Sequence, residues 1–266
     1  MSIGTFDLNE CIGSGTFGQV CKARNRRTNQ LVALKSASSS SDKGLAFQVL
    51  KHEAAMLRSL RHIKGIPDLR WFGVVDGSGF IAMDLFGETL APDPSIGKLE
   101  VLNLFLSGLR VLEKCHNVNI IHRDLKPSNI AFLDSEKKTV GLLDFGLATR
   151  IPKGSKAKRI VNMIGNRIHS SHRVMERWSP GFGDDIIGFC YSFIDVFFGG
   201  LPWSNEDDLD RIMVIKKLSI EQWVSKECPK SIMNACSYGE SLSPGQTPHY
   251  SEIYKLLHTD QQMLSS

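Results

Sequence analysis

The chain is 266 residues long, a length that fits one large domain or two small lobes. With 42% hydrophobic and 23% charged residues it is neither disordered, nor collagen-like, nor a disulfide scaffold. Its 32 basic and 28 acidic side chains leave a net charge of only +4, too small a surplus to point to nucleic acid or a membrane surface as the main partner. The cysteines (Cys11, Cys21, Cys115, Cys190, Cys228, Cys236) are scattered, with no CxxC pair and no histidine at metal-ligand spacing, so neither a zinc site nor a disulfide framework is expected. The first residues, MSIGTFDLNE, lack the basic segment and apolar run of a secretory signal, and a cytoplasmic or nuclear location is expected. The most apolar window, IIGFCYSFIDVFF, is shorter than the roughly 20 residues that a bilayer requires and carries Asp195; it predicts a buried helix and no membrane insertion.

In chain order, TFDLNECI and GQVCKAR read as strands on either side of SGTF, and QLVALKS follows the turn-prone RRTN, predicting an antiparallel meander. The serines at 38–41 read as a connector to a helix, AFQVLKHEAAMLRSL, whose apolar residues recur at three- and four-residue steps. DLRWFGVV and FIAMDLF, joined by DGSG, complete about five strands. After Gly87 long helices dominate, beginning with LEVLNLFLSGLRVLEKCHN, and the closing TDQQMLSS reads as a frayed tail. The expected fold class is therefore α+β, with a small five-stranded lobe of one helix over about residues 1–84 and a larger, mainly helical lobe over 85–266.

The chemistry is carried by particular residues. Gly13-Ser14-Gly15-Thr16-Phe17-Gly18-Gln19-Val20 is a G-x-G-x-x-G-x-V stretch, and because Val20-Cys21-Lys22-Ala23 continues as a strand, the glycines sit at a hairpin tip where backbone N–H groups can meet phosphates. A Rossmann-type oxidoreductase would instead open a helix here. Val32-Ala33-Leu34-Lys35 puts a lysine on the third strand, and Glu53 on the next helix is its expected carboxylate partner for orienting the α- and β-phosphates of ATP. His122-Arg123-Asp124-Leu125-Lys126-Pro127-Ser128-Asn129 is followed, fifteen residues after Asn129, by Asp144-Phe145-Gly146. Phosphoryl transfer needs a carboxylate to orient the attacking hydroxyl, a cation near the γ-phosphate, and an amide and a carboxylate to hold Mg²⁺. Asp124, Lys126, Asn129 and Asp144 meet those needs, and the apolar runs NIIH, NIAF and VGLLDF predict short buried strands around them.

On these motifs the sequence resembles the eukaryotic protein kinases from Ile12 to about Leu257. The resemblance implies one kinase domain spanning residues 1–266, made of two lobes, with ATP and Mg²⁺ as cofactors and protein substrates as partners. Asp124-Leu125-Lys126 is similar to the serine/threonine branch. Within it, GIPDLRWFGVVDGSGFIAMDLFGETL, the lack of an APE element, Asp184-Asp185 followed by Gly199-Gly200-Leu201-Pro202-Trp203, and Pro248-His249-Tyr250-Ser251 resemble the casein kinase 1 group, relatives of the vaccinia-related and tau-tubulin kinases.

That resemblance implies Met83 as gatekeeper, backbone groups of Asp84 and Phe86 at the adenine edge, Ile12, Val20 and Ala33 over the ring, and Ala131 as its floor, smaller than in most relatives. Gly13, Gly15 and Gly18 would lie over the phosphates with Lys35, and Leu57, His122 and Phe145 would form an apolar spine anchored by Asp185. A monomeric, active enzyme is expected, with a pseudokinase as the alternative, and with Thr149 and Ser155 as candidate autophosphorylation sites.

Three departures bear on the substrate. Gly165-Asn166-Arg167-Ile168-His169-Ser170-Ser171-His172-Arg173 replaces the usual glycine-threonine pair and SIN element, Phe182-Gly183 replaces paired arginines, and the acidic stretch from Asn205 to Asp210 replaces a basic one. Arg150, Lys153, Lys156, Lys158, Arg159, Arg167, Arg173 and Arg177 form a basic cluster that is a candidate substitute for recognising acidic or phosphorylated substrates.

Overall fold

The computed structural model describes residues 2–15, 18–37, 43–152 and 154–265. Thr16 and Phe17 of the glycine stretch, the serines at 38–41 and Lys153 of the basic cluster lie outside the described residues. The chain divides into two compact units, Met1–Gly87 with Leu143–Gly146, and Glu88–Leu142 with Leu147–Ser266. The Asp-Phe-Gly motif thus groups with the first unit.

The first unit is an antiparallel sheet of β1 (Ser2–Ile3), β2 (Phe6–Gly15), β3 (Gly18–Asn25), β4 (Leu31–Ala37), β5 (Leu69–Val75) and β6 (Ser78–Asp84), in the order β1-β2-β3-β4-β6-β5. Helix α1 (Lys43–Leu60) packs on β4, β5 and β6. The expected five strands become six, because Ser2 and Ile3 pair with Asp7 and Phe6. Two residues are too few to show alternation in a sequence, and what holds them is Ile3 packing against the cluster of Phe6, Ala23, Val32, Leu34, Phe80 and Ala82.

Because successive strand residues point to opposite faces, Val32 and Leu34 enter that cluster while Ala33 and Lys35 turn to the other side. Register then sets Val20 opposite Lys35 and Ala33 opposite Met83, so these four share one face. Cys11 and Cys21 are also register partners, with a register shift on each side of Cys11, and they form a disulfide with Cα atoms 3.9 Å apart. The pairing depends on which residues face each other across β2 and β3, and spacing along the chain does not reveal it. Cys115, Cys190, Cys228 and Cys236 are free and buried, and no cluster of metal-ligating side chains occurs among the described residues.

The second unit contains α2 (Lys98–Asn117), β7 (Ile120–Ile121), β8 (Ile130–Phe132), β9 (Val140–Leu142), β10 (Thr149–Arg150), α3 (His172–Met175), α4 (Phe182–Phe198), α5 (Leu209–Lys217), α6 (Ile220–Trp223), α7 (Lys230–Ser241) and α8 (Tyr250–Ser265). The strands β7, β8 and β9 are the short buried strands expected from the runs NIIH, NIAF and VGLLDF; β8 pairs with β9, and β7 pairs with the more exposed β10. The apolar window 186–198 lies in α4, which is buried along almost its whole length and packs on α2 and α7.

The close contact of α4 with α7 leaves no room for a side chain at Gly183, where a Cβ would lie 2.3 Å from the Gly239 carbonyl oxygen. The chain end is corrected as well. Instead of fraying from Thr259, α8 continues, with Asp260 accepting from the Ser231 N–H at 2.7 Å and Gln261 donating to Asn103 at 2.8 Å. Among the described residues, no helix is long and apolar enough to cross a membrane.

Candidate active site

In the first unit, β4 and α1 bring Lys35 and Glu53 together across eighteen residues of chain, with Lys35 Nζ 2.7 Å from Glu53 Oε2. The same amine lies 2.9 Å from Asp144 Oδ1. Lys35 and Glu53 are almost fully buried, while the Asp144 side chain is 44% exposed and so open to a ligand. Burial disfavours the Lys35 cation, but the charges of Glu53 and Asp144 outweigh it and raise its pKa. Burial dominates at Glu53, whose pKa is pushed up to about 7 against the opposing pull of Lys35.

Asp144 has a left-handed backbone at φ 59°, as does Arg123 of the other motif at φ 70°. Non-glycine residues in this region cost energy and cluster where function demands an unusual side-chain direction. Gly13 pairs with Val20, which shares a face with Ala33, Lys35 and Met83, and Gly15 pairs with Gly18 two residue pairs further toward the hairpin tip. Ile12 is half exposed on the same strand as Gly13. The Asp84 N–H donates to the Asp68 carbonyl, and Asp84 Oδ1 accepts from Arg70, so its side chain is committed within the unit. Phe86 is half-buried, and Leu57 and Phe145 are fully buried.

In the second unit, the loop at 122–129 hangs on Asp185, whose carboxylate accepts from the backbone N–H groups of His122 at 2.6 Å and Arg123 at 2.8 Å and lies 3.1 Å from His116 Nε2. Burial alone would raise the Asp185 carboxyl. The His116 hydrogen bond and the nearby His116 and His122 overcome this and hold it below the ordinary carboxylate range. The Tyr250 hydroxyl completes the support at 2.7 Å from His116 Nδ1.

Asp124 is gripped at several points. Asn129 Nδ2 donates to the Asp124 carbonyl at 2.8 Å and to Oδ2 at 3.1 Å, and Lys126 Nζ lies 3.0 Å from Oδ2. Both Asn129 bonds use its nitrogen, which leaves its amide oxygen as the kind of donor that a hard divalent cation takes, and the carboxylate of Asp144 is another. Ala131 is fully buried and pairs with Gly141 and Thr89 within the second unit, whereas the other proposed adenine contacts belong to the first.

The basic cluster is partly consumed by the fold. Arg173 binds Asp184 and the carbonyls of Leu242 and Gly239; Arg150 binds the Val118 carbonyl; Arg167 pairs with Asp207 at 2.9 Å; and Arg159 binds the Glu176 carbonyl and stacks on Trp178. Lys156, Lys158 and Arg177 remain exposed at the surface. Three residues that sequence reasoning did not assign to the site also converge on it: Asn166, whose amide donates to Asp124 Oδ1 at 2.9 Å, and His169 and Lys216, which hold the Asn166 turn. The altered glycine-threonine position marked Asn166 as unusual. His169 falls in the same altered stretch, and no local pattern marks Lys216.

Comparison with known proteins gives the same picture at the level of the whole chain. A family model described as protein kinase domain matches residues 6–262. The chain is similar to a protein of Dictyostelium discoideum named a probable serine/threonine-protein kinase, at 27% identity over 267 residues covering 96% of this chain and 53% of that protein. It thus spans about half the length of that curated relative. Since the family match runs from β2 into the last helix and takes in both groups of polar residues described above, the chain belongs to the protein kinase family.

Proposed function

We propose that this protein is an active serine/threonine kinase of casein kinase 1 type that transfers the γ-phosphoryl group of ATP to hydroxyls of protein substrates. The observation that carries the reading is the treatment of Asp124: a carboxylate with an 11% exposed side chain, held on both oxygens and paired with Lys126. Such preorganisation suits a group that must orient an acceptor hydroxyl and take up its proton. Lys126 would neutralise charge developing at the γ-phosphate, and Lys35, kept charged by Glu53 and Asp144, would hold the α- and β-phosphates.

Asn129 and Asp144 have the oxygen donors to hold Mg²⁺, which when bound supplies charge neutralisation at the phosphate oxygens. The face carrying Val20, Ala33 and Met83 supports the adenine assignment, with Ile12 at its edge, backbone groups of Asp84 and Phe86, and Ala131 as further proposed contacts. Labelled-ATP transfer to casein tests the reading. Transfer to serine or threonine is the expected result, and nucleotide binding without transfer would favour a pseudokinase.

The raised Glu53 pKa predicts a pH effect with a definite sign. The Glu53 carboxylate is ionised only above about pH 7, so its contribution to orienting Lys35 is present above that pH and fades as pH falls through it. The ratio of kcat/KM for ATP between wild type and Glu53→Gln removes the titration of ATP itself. It should be largest near pH 8 and decline toward pH 6; a flat ratio would refute the assignment.

Recognition of acidic substrates, as part of the same proposal, rests on the exposed Lys156, Lys158 and Arg177. Exposed pairs contribute about 0.2–1 kcal/mol each. A peptide with an acidic residue three positions before the acceptor should therefore react only about fivefold faster than its neutral version, with the advantage lost at high salt and in the triple alanine variant. Equal rates for the two peptides would remove this preference.

A further inference from the structure

Asn166 is delivered to Asp124 by a turn that tolerates little change. Gly165 has φ 99°, and a Cβ there would lie 2.4 Å from the Arg123 carbonyl oxygen, so only glycine allows this close approach to the catalytic loop. The Asn166 amide is oriented by its own neighbours. Its Oδ1 accepts from the His169 backbone N–H at 2.7 Å, and because a backbone N–H can only donate, the amide nitrogen is left to face Asp124 Oδ1 at 2.9 Å. The His169 ring spans the space behind, with Nδ1 3.1 Å from Asn166 Oδ1 and Nε2 2.9 Å from Asp195 Oδ2. Asp195, the one acid in the apolar window of α4, thereby has a role.

Beneath the same turn lies Lys216 of α5, only 1% exposed. Its three ammonium hydrogens match three carbonyls, those of Arg167 at 2.7 Å, Ile168 at 2.9 Å and Ser170 at 2.6 Å. The amine also lies 4.9 Å from the Trp203 ring and 5.5 Å from that of Tyr191, and Trp203 Nε1 donates to the Ile168 carbonyl. Burial pushes the Lys216 pKa down to about 7, and the carbonyls and ring faces stand in for the water it has lost. A buried lysine that uses every donor on one five-residue turn fixes that turn in place.

We propose that Asn166, fixed by His169 and Lys216, is a positioning residue that sets the orientation of the Asp124 carboxylate for phosphoryl transfer. The inference rests on the kinase reading above. In place of the usual hydroxyl side chain, a longer amide reaches Asp124, and the lysine and histidine keep that amide from swinging away.

Steady-state kinetics on ATP and casein, with thermal melting of each variant, test the idea. Asn166→Ala should lower kcat by about 10- to 100-fold, as expected for a misplaced reacting group, while KM for ATP stays within about twofold. Asn166→Asp keeps the side-chain volume and the acceptor for His169 but turns a second carboxylate toward Asp124, so its kcat should fall below that of the alanine variant. Space filling alone would give the opposite order. Lys216→Met should lower both Tm and the kcat of the folded fraction. A kcat for Asn166→Ala within twofold of wild type, or an Asn166→Asp variant more active than Asn166→Ala, would overturn the proposal. Wild-type protein that transfers no phosphate would reject the kinase reading itself, whereas active wild type with unaffected variants rejects only the positioning role.

Discussion

Asp124→Asn is expected to reduce kcat for phosphate transfer to casein by about 10²–10⁴, the range for loss of a positioned acid–base group. KM for ATP should change little, because the pair that would hold the phosphates, Lys35 with Glu53, belongs to the other unit. The structure also indicates a local cost. Oδ1 of Asp124 accepts from Asn166, and Oδ2 accepts from Asn129 and pairs with Lys126, so either orientation of an asparagine amide sets an NH₂ against a donor. One mismatched group of this kind costs about 1–3 kcal/mol, which a thermal melt would register as a modest shift. Label transfer at full rate in this variant would reject the mechanism outright.

Lys35→Met is the second large effect. Removing the cation should lower kcat/KM for ATP by about 10²–10³, comparable to the loss of one preorganised electrostatic donor. Stripping one partner from a buried ion pair ordinarily costs about 3–5 kcal/mol. Here Glu53 has an escape, because a carboxyl whose pKa already stands at about 7 readily takes up a proton once Lys35 is gone. The destabilisation should therefore be smaller at pH 6 than at pH 8, and Lys35→Met combined with Glu53→Gln should recover most of the lost Tm while remaining inactive. A double variant no more stable than the single one would show that Glu53 is not the source of the cost.

These two variants probe residues whose importance is legible from order and spacing along the chain. The alternation of VALK puts Lys35 on the face opposite Val32 and Leu34; strand pairing then sets it beside Val20, and the packing of α1 on β4 brings it to Glu53. The catalytic loop is similarly readable, since its polar residues are bracketed by runs that form β7, β8 and β9. Both depend on periodicity over a few residues, which local sterics and burial impose directly.

Other features resisted reading because their partners are remote. The Cys11–Cys21 bond depends on a cross-strand register with a shift on either side of Cys11. The persistence of α8 depends on Asp260 meeting Ser231 and Gln261 meeting Asn103, and the need for glycine at 183 depends on the backbone of α7. In the basic cluster, Arg150, Arg159, Arg167 and Arg173 bind groups of the fold, two of them while still exposed, and Lys156, Lys158 and Arg177 are further exposed charges. Which arginine does which follows from the positions of Asp184, Val118, Asp207 and Glu176.

By itself, then, the sequence determined the α+β class and the kinase motifs, because each is written in residue type and short-range spacing. Only the tertiary structure decided how Asp124 is held. Asn166 and Lys216 lie 42 residues from Asp124 and 46 to 49 residues from the carbonyls of the Asn166 turn, respectively. Their roles come from hydrogen bonds across the folded chain, where a buried amine must find three acceptors and an amide can face only one way.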